Sequence, residues 1–176
     1  MCKVFFFIIV LLICLYPIIE GFTSLNNIYG DPLEKCKTGT SPGSWDKYGY
    51  CSEQGGGVHQ ICFKVSDDTT NFSSETGQSD WSKGRVNNNH CMCLGAWALY
   101  KAKGLGNNKE LVCEAIPDTA LQNKYIKNWN TWNGNELPDQ INNGIDSIYE
   151  QCYKSSKNSS QLSYLNNLYK NLKKEI

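Results

Sequence analysis

The sequence predicts an α+β domain, a small antiparallel sheet with short helices followed by a C-terminal helical hairpin. Three observations lead there. Residues 60–65 alternate, with Ile61, Phe63 and Val65 on one side of an extended segment, which is the period of a half-buried strand. Beyond Pro117 the period changes to about four, through Leu121, Tyr125 and Trp129, then through Leu137, Ile141, Ile145, Ile148 and Cys152, then through Leu162, Leu165, Leu168 and Leu172. Between these zones lies a Cys-x-Cys pair, Cys91 and Cys93, leading into a Trp-bearing apolar run.

The elements follow in chain order. Residues 1–21 carry one early charge, Lys3, an apolar run over residues 4–16, and Gly21 at a plausible cleavage point, the shape of a signal peptide. The run is short of the roughly 20 residues that span a bilayer, so a retained membrane anchor is the lesser alternative. Residues 26–57 hold the turn signals Gly30-Asp31-Pro32 and Ser41-Pro42-Gly43 and read as irregular, pinned by cysteines. After the strand at 60–65, with Cys62 opposite its apolar row, residues 66–89 read as loop with one helical turn after Asp67-Asp68. Residues 90–93 read as a second strand, 94–103 as a helix stopped by Gly104, and 110–116 as a third strand stopped by Pro117. A helix is expected over 118–130 behind Asp118 as N-cap. Two more, with Pro138 in a first turn and Ser159-Ser160 ahead of the last, form the hairpin. The domain then spans 22–130 and the hairpin 131–176. Lys170, Lys173 and Lys174 near the end admit an amphipathic membrane-surface helix, but basic residues in a last turn also complement the helix dipole.

Charge excludes one class of partner. The chain has 17 Lys plus Arg against 17 Asp plus Glu, and Arg85 is its lone arginine, so it lacks the basic cluster of a nucleic-acid binder. Gly55-Gly56-Gly57 is followed by neither Lys-Ser/Thr nor a clear helix and is no phosphate cradle.

Of nine cysteines, Cys2 and Cys14 lie in the leader; Cys36, Cys51, Cys62, Cys91, Cys93, Cys113 and Cys152 remain. In an oxidising compartment an odd set gives up to three disulfides and one thiol, with a connectivity that spacing leaves open. Two other chemistries compete. Cys51, His59, Cys62, Cys91 and Cys93 offer soft ligands for zinc, although no Cys-x-x-Cys knuckle is present. Cys91 and Cys93 also suit thiol redox work, and His59 and His90 lie close enough in sequence to Cys62 and Cys91 for a Cys-His nucleophile pair. Asn71-Phe72-Ser73 and Asn158-Ser159-Ser160 fit the N-glycosylation pattern at Asn71 and Asn158.

A resemblance follows from the ordered motifs. Asn27, Gly30, Pro32-Leu33 and Cys36, then Gly49-Tyr50-Cys51, His59 and Cys62, Gly77-Gln78-Ser79-Asp80, and Cys91-Met92-Cys93 with Trp97 are similar in order and spacing to the uncharacterised family called domain of unknown function 2237, of bacteria, algae and plants. The likeness covers about residues 27–129, with Glu114-Ala115 and Ala120-Leu121 matching its closing segment. Here the stretch before the Cys-x-Cys is shortened to residues 82–89, and His90 stands where the family has Trp. The resemblance implies no reaction, cofactor or catalytic residue. It implies that Cys36, Cys51, Cys62, Cys91 and Cys93 belong to a shared domain and that Cys113 and Cys152 are additions. Relatives without a leader would keep the shared five in a reducing cytosol, which favours the metal or thiol chemistry. Cys152, on the inner face of the penultimate helix, is expected to pair with Cys113 and tie the hairpin to the domain.

The expected role is therefore that of a non-catalytic binding or structural domain stabilised by disulfides, with no cofactor and an unidentified protein partner, secreted or retained in the secretory pathway. The alternatives are a zinc or thiol-redox protein centred on the Cys-x-Cys pair, and delivery through the same route to a plastid-like organelle.

Overall fold

In the computed structural model, which describes residues 25–40, 42–52 and 58–176, the alternating segment forms strand β1 (Ile61–Lys64). It pairs antiparallel with β2 (Asn89–Met92), in the register Ile61↔Met92, Cys62↔Cys91, Phe63↔His90 and Lys64↔Asn89. The leader read over residues 1–21 and the Gly55-Gly56-Gly57 turn lie outside the described residues. Ile61, Phe63 and Val65 are fully buried as their alternation requires. Cys62 is buried too, because disulfides cover the second face of the ladder.

The polar loop contains the turn expected at Asp67–Thr69, and also a one-turn helix, α1 (Phe72–Glu75). Phe72 drives it: the ring is fully buried, with centroids 5.0 Å from Phe63 and 4.9 Å from Tyr100. Behind β2 comes α2 (Leu94–Ala102), closed at Gly104, whose φ of +71° a side chain would resist. Trp97, on α2, is fully buried and joins this aromatic core.

Two expectations are corrected here. Residues 110–116 do not make a full third strand: Leu111 forms a single bridge to Phe63, and a 3-10 turn follows at Cys113–Ala115. Only Lys64 N–H to Glu110 O and Val112 N–H to Cys62 O extend the ladder. Beyond them the carbonyls of Glu114 and Ile116 accept from Glu34 and Ile28, so the N-terminal segment takes the bonds a strand would have used. The helix expected over 118–130 is broken into a 3-10 turn, Asp118–Leu121, and α3 (Asn123–Trp129), with Gln122 extended between them. Asp118 does not cap; its carboxylate accepts instead from the Tyr164 hydroxyl, 3.0 Å away.

A hairpin the sequence reading missed, β3 (Thr131–Trp132) and β4 (Asn135–Glu136), turns through Asn133 and Gly134, both at positive φ. Then come α4 (Pro138–Ser155) and α5 (Ser159–Glu175), the expected helical hairpin. Ile141, Ile145, Ile148 and Cys152 are buried along one face of α4, and Gly144 lets α4 meet α2 at Ala98. The Asn158 side chain caps α5 by accepting from the Gln161 N–H at 3.0 Å. Leu165 and Leu172 are buried against the core, Tyr149 and Tyr169 stack at 4.0 Å, and Lys173 pairs with Asp146 at 2.8 Å. The last helix thus spends its apolar face and one terminal lysine on the domain itself. Among the described residues no helix is long and apolar enough to cross a membrane.

Gly95, in the first turn of α2, allows the Thr131 carbonyl of β3 to lie against its Cα; a Cβ there would collide with that oxygen. Since the obstacle is backbone, Gly95→Ala is expected to displace the β3–β4 hairpin and cost about 1–3 kcal/mol. Urea unfolding measures it, and an unchanged midpoint would show that the hairpin does not seat on this turn.

Candidate functional site

Cys62 and Cys91 are direct partners across the two-stranded ladder, and neither bonds to the other. Cys62 is joined to Cys36 and Cys91 to Cys51, so both bridges reach into the N-terminal segment; a third joins Cys113 to Cys152 as expected. The first two lie side by side, with the sulfurs of Cys36, Cys51 and Cys62 within 4.8 Å of one another. Three of the five candidate zinc ligands, Cys51, Cys62 and Cys91, are therefore committed to disulfides. His59 and Cys93 remain, fewer than the three or four protein ligands of a zinc site.

Those two line one pocket. Its volume is about 230 Å³, and it lies where the β2–α2 junction, the 78–85 loop and the β3–β4 hairpin converge. Cys93 occupies the N-cap position of α2, 5% exposed and outside the disulfides, and its carbonyl accepts from the Trp97 N–H at 3.2 Å. The close approach at Gly95 brings Trp132 to the opposite wall, where its indole N–H donates to the Thr76 carbonyl at 2.6 Å.

The third wall is a stack. His90 is 6% exposed and lies against Trp81, with centroids 4.1 Å apart, while the Arg85 guanidinium sits 5.0 Å from the same indole. Arg85 Nη1 is 2.7 Å from His90 Nδ1. A guanidinium can only donate, so Nδ1 accepts and the proton of the neutral ring is on Nε2. Burial first, then the Arg85 charge and His59, push the His90 imidazole down to about 3, so the ring is neutral at ordinary pH. With its lone pair occupied, His90 is no general base in this geometry. The Cys-His possibility rests on His59 alone.

Among the described residues the pocket holds one permanent charge. Ser44, Gln78, Ser79, Met92 and Ala96 also line it, and no described Asp or Glu does. Nearby carboxylates are engaged elsewhere: Asp80 pairs with Lys83 at 2.7 Å and Glu75 with Lys103 at 3.0 Å. Among the described residues Arg85 enters no ion pair, and burial lowers its pKa. Gln78 is spent on the scaffold, accepting from the Trp81 indole at 3.1 Å and donating to Thr76 at 2.8 Å.

Comparison of the chain with family models, with curated proteins and with solved structures finds no match.

The sequence reading named Cys93, His59 and His90 but assigned nothing to Arg85, Trp81 or Trp132. A signal was present: the one arginine lies four residues after a Trp and five before a His. The two glycosylation candidates differ in setting. Asn71 accepts from the Tyr100 hydroxyl at 2.9 Å and Ser73 is fully buried, whereas Asn158 is exposed at the start of α5.

Proposed function

We propose that this protein is a secreted, disulfide-stabilised binding domain whose pocket takes a small anionic ligand, a carboxylate carried on a flat or apolar body. The observation that carries the reading is the Arg85 charge in a pocket that, among the described residues, is lined by no carboxylate and is walled by Trp81 and Trp132. A cation whose burial is not offset by a protein anion favours an anionic guest. The neutral His90 ring supplies its Nε2–H as a donor and adds no second charge. The leader-like first 21 residues together with three disulfides support an oxidising, secretory setting. Membership of the uncharacterised family that the Asn27-to-Trp97 motifs resemble is part of the same proposal, on those motifs alone.

Amide NMR titration tests it with benzoate, acetate and phosphate against benzamide and benzamidine. Benzoate is expected to shift the amides of residues 78–96 and benzamide of the same shape to bind about tenfold more weakly, the worth of one partly screened charge pair. Arg85→Gln should erase that preference and Arg85→Lys retain part of it. Equal binding of benzoate and benzamide, or benzoate binding undiminished in Arg85→Gln, would overturn the reading.

A further inference from the structure

We infer, resting on the secretory setting proposed above, that Asn158 carries an N-linked glycan transferred from a lipid-diphosphate oligosaccharide, and that Asn71 stays unmodified.

The two Asn-x-Ser motifs are alike in sequence and opposite in structure. Asn158, Ser159 and Ser160 are all exposed, and Asn158 is extended, with φ −159° and ψ 169°. The two ends of its amide have separate tasks. Oδ1 accepts from the Gln161 N–H at 3.0 Å and caps α5, while among the described residues nothing pairs with Nδ2. A sugar on Nδ2 therefore leaves the cap in place. Gln161 braces the same corner, accepting from the Lys157 N–H at 2.8 Å and donating to the Asp31 carboxylate at 2.7 Å. An enzyme that engages the Ser160 hydroxyl has only the first turn of a helix to open, the part that frays.

The other motif is closed. Phe72 and Ser73 are fully buried, Asn71 accepts from the Tyr100 hydroxyl at 2.9 Å, and Ser73 Oγ lies 2.8 Å from Ser82 Oγ. Presenting the Ser73 hydroxyl means lifting Phe72 out of the aromatic core. A bulky, hydrated glycan belongs on surface of the first kind.

The transfer balances with the lipid donor alone. Asn158 Nδ2 forms a bond to the first sugar carbon and gives up one proton to solvent. The bond from that carbon to the diphosphate oxygen breaks, and the lipid diphosphate leaves with the electron pair. None of the described residues lining the Arg85 pocket belongs to this corner, so benzoate binding is expected to be the same with and without the glycan.

The test expresses the full chain in a host whose secretory route N-glycosylates, recovers it from the medium, and treats it with peptide-N-glycosidase in heavy-oxygen water. Each occupied asparagine is then marked by mass in a peptide map. A mark at Asn158 and none at Asn71 is expected. Asn158→Asp, which keeps a capping oxygen, and Ser160→Ala, which leaves Asn158 and its cap untouched, should both lose the glycan. Both should retain the three disulfides and the preference for benzoate. Secreted protein that binds benzoate with Asn158 unmarked would sink this inference and leave the pocket reading intact, and so would a mark on Asn71. A chain that never enters the secretory route and bears no glycan would overturn this inference together with the secretory setting.

Discussion

Removing the Cys113–Cys152 bridge is expected to lower the free energy of unfolding by about 4 kcal/mol, a large share of what holds a domain of this size together. The bond closes a loop with a sequence separation of 39 residues and joins the turn after the Leu111 bridge to the inner face of α4. Neighbouring contacts depend on that junction. The Tyr29 hydroxyl donates to the Cys152 carbonyl at 2.7 Å, and Gln151 Oε1 accepts from the Glu110 and Leu111 N–H groups at 3.0 and 3.2 Å. Burial pushes the Tyr29 phenol up to about 12, so this donor stays protonated through the range in which the protein would be studied. The double variant Cys113→Ala/Cys152→Ala avoids leaving a buried thiol, and its urea midpoint against the wild type gives the loss. A change below about 1 kcal/mol would mean that packing of α4 on α2, where Gly144 meets Ala98, already fixes the hairpin and the bridge adds little.

Acid should destabilise the fold through His90. The imidazole is held neutral in the folded chain, with its pKa near 3 against an ordinary value of 6.5. Above pH 6.5 neither state binds the proton and the group is silent. As pH falls from 6.5 towards 3, the unfolded chain takes the proton and the folded one does not, so stability drops throughout that window. The full loss is on the order of 5 kcal/mol. The Arg85 guanidinium and His59 face the ring and oppose its protonation, and Trp81 covers it. Unfolding free energies measured across pH 3–7 should therefore fall more steeply for the wild type than for His90→Gln, which has nothing to titrate there. Parallel curves would show that His90 is not buried neutral.

Much of the fold was legible in the sequence because its cues are local. Alternation at Ile61, Phe63 and Val65 marked β1, Gly104 ended α2, and the spacing of Ile141, Ile145, Ile148 and Cys152 marked the face of α4. The Asn133-Gly134 turn of the missed hairpin is a local signal as well, but the two-residue strands on either side carry no period to notice. The third strand and the long helix after Pro117 failed for another reason. Their backbone and side-chain partners, Glu34, Ile28 and Tyr164, come from distant parts of the chain, and local propensity yielded to them.

The sequence by itself determined the α+β class, the nine cysteines, the helical hairpin and the near-neutral charge. Only the tertiary structure decided which cysteines pair, and that Arg85, His90, Trp81 and Trp132 enclose a single pocket with Cys93. The physical reason is range. Periodicity and turn chemistry act between neighbours in the chain, whereas a disulfide partner and a pocket wall are chosen by strand register and helix packing, which bring cysteines 26 to 40 positions apart to within bonding distance.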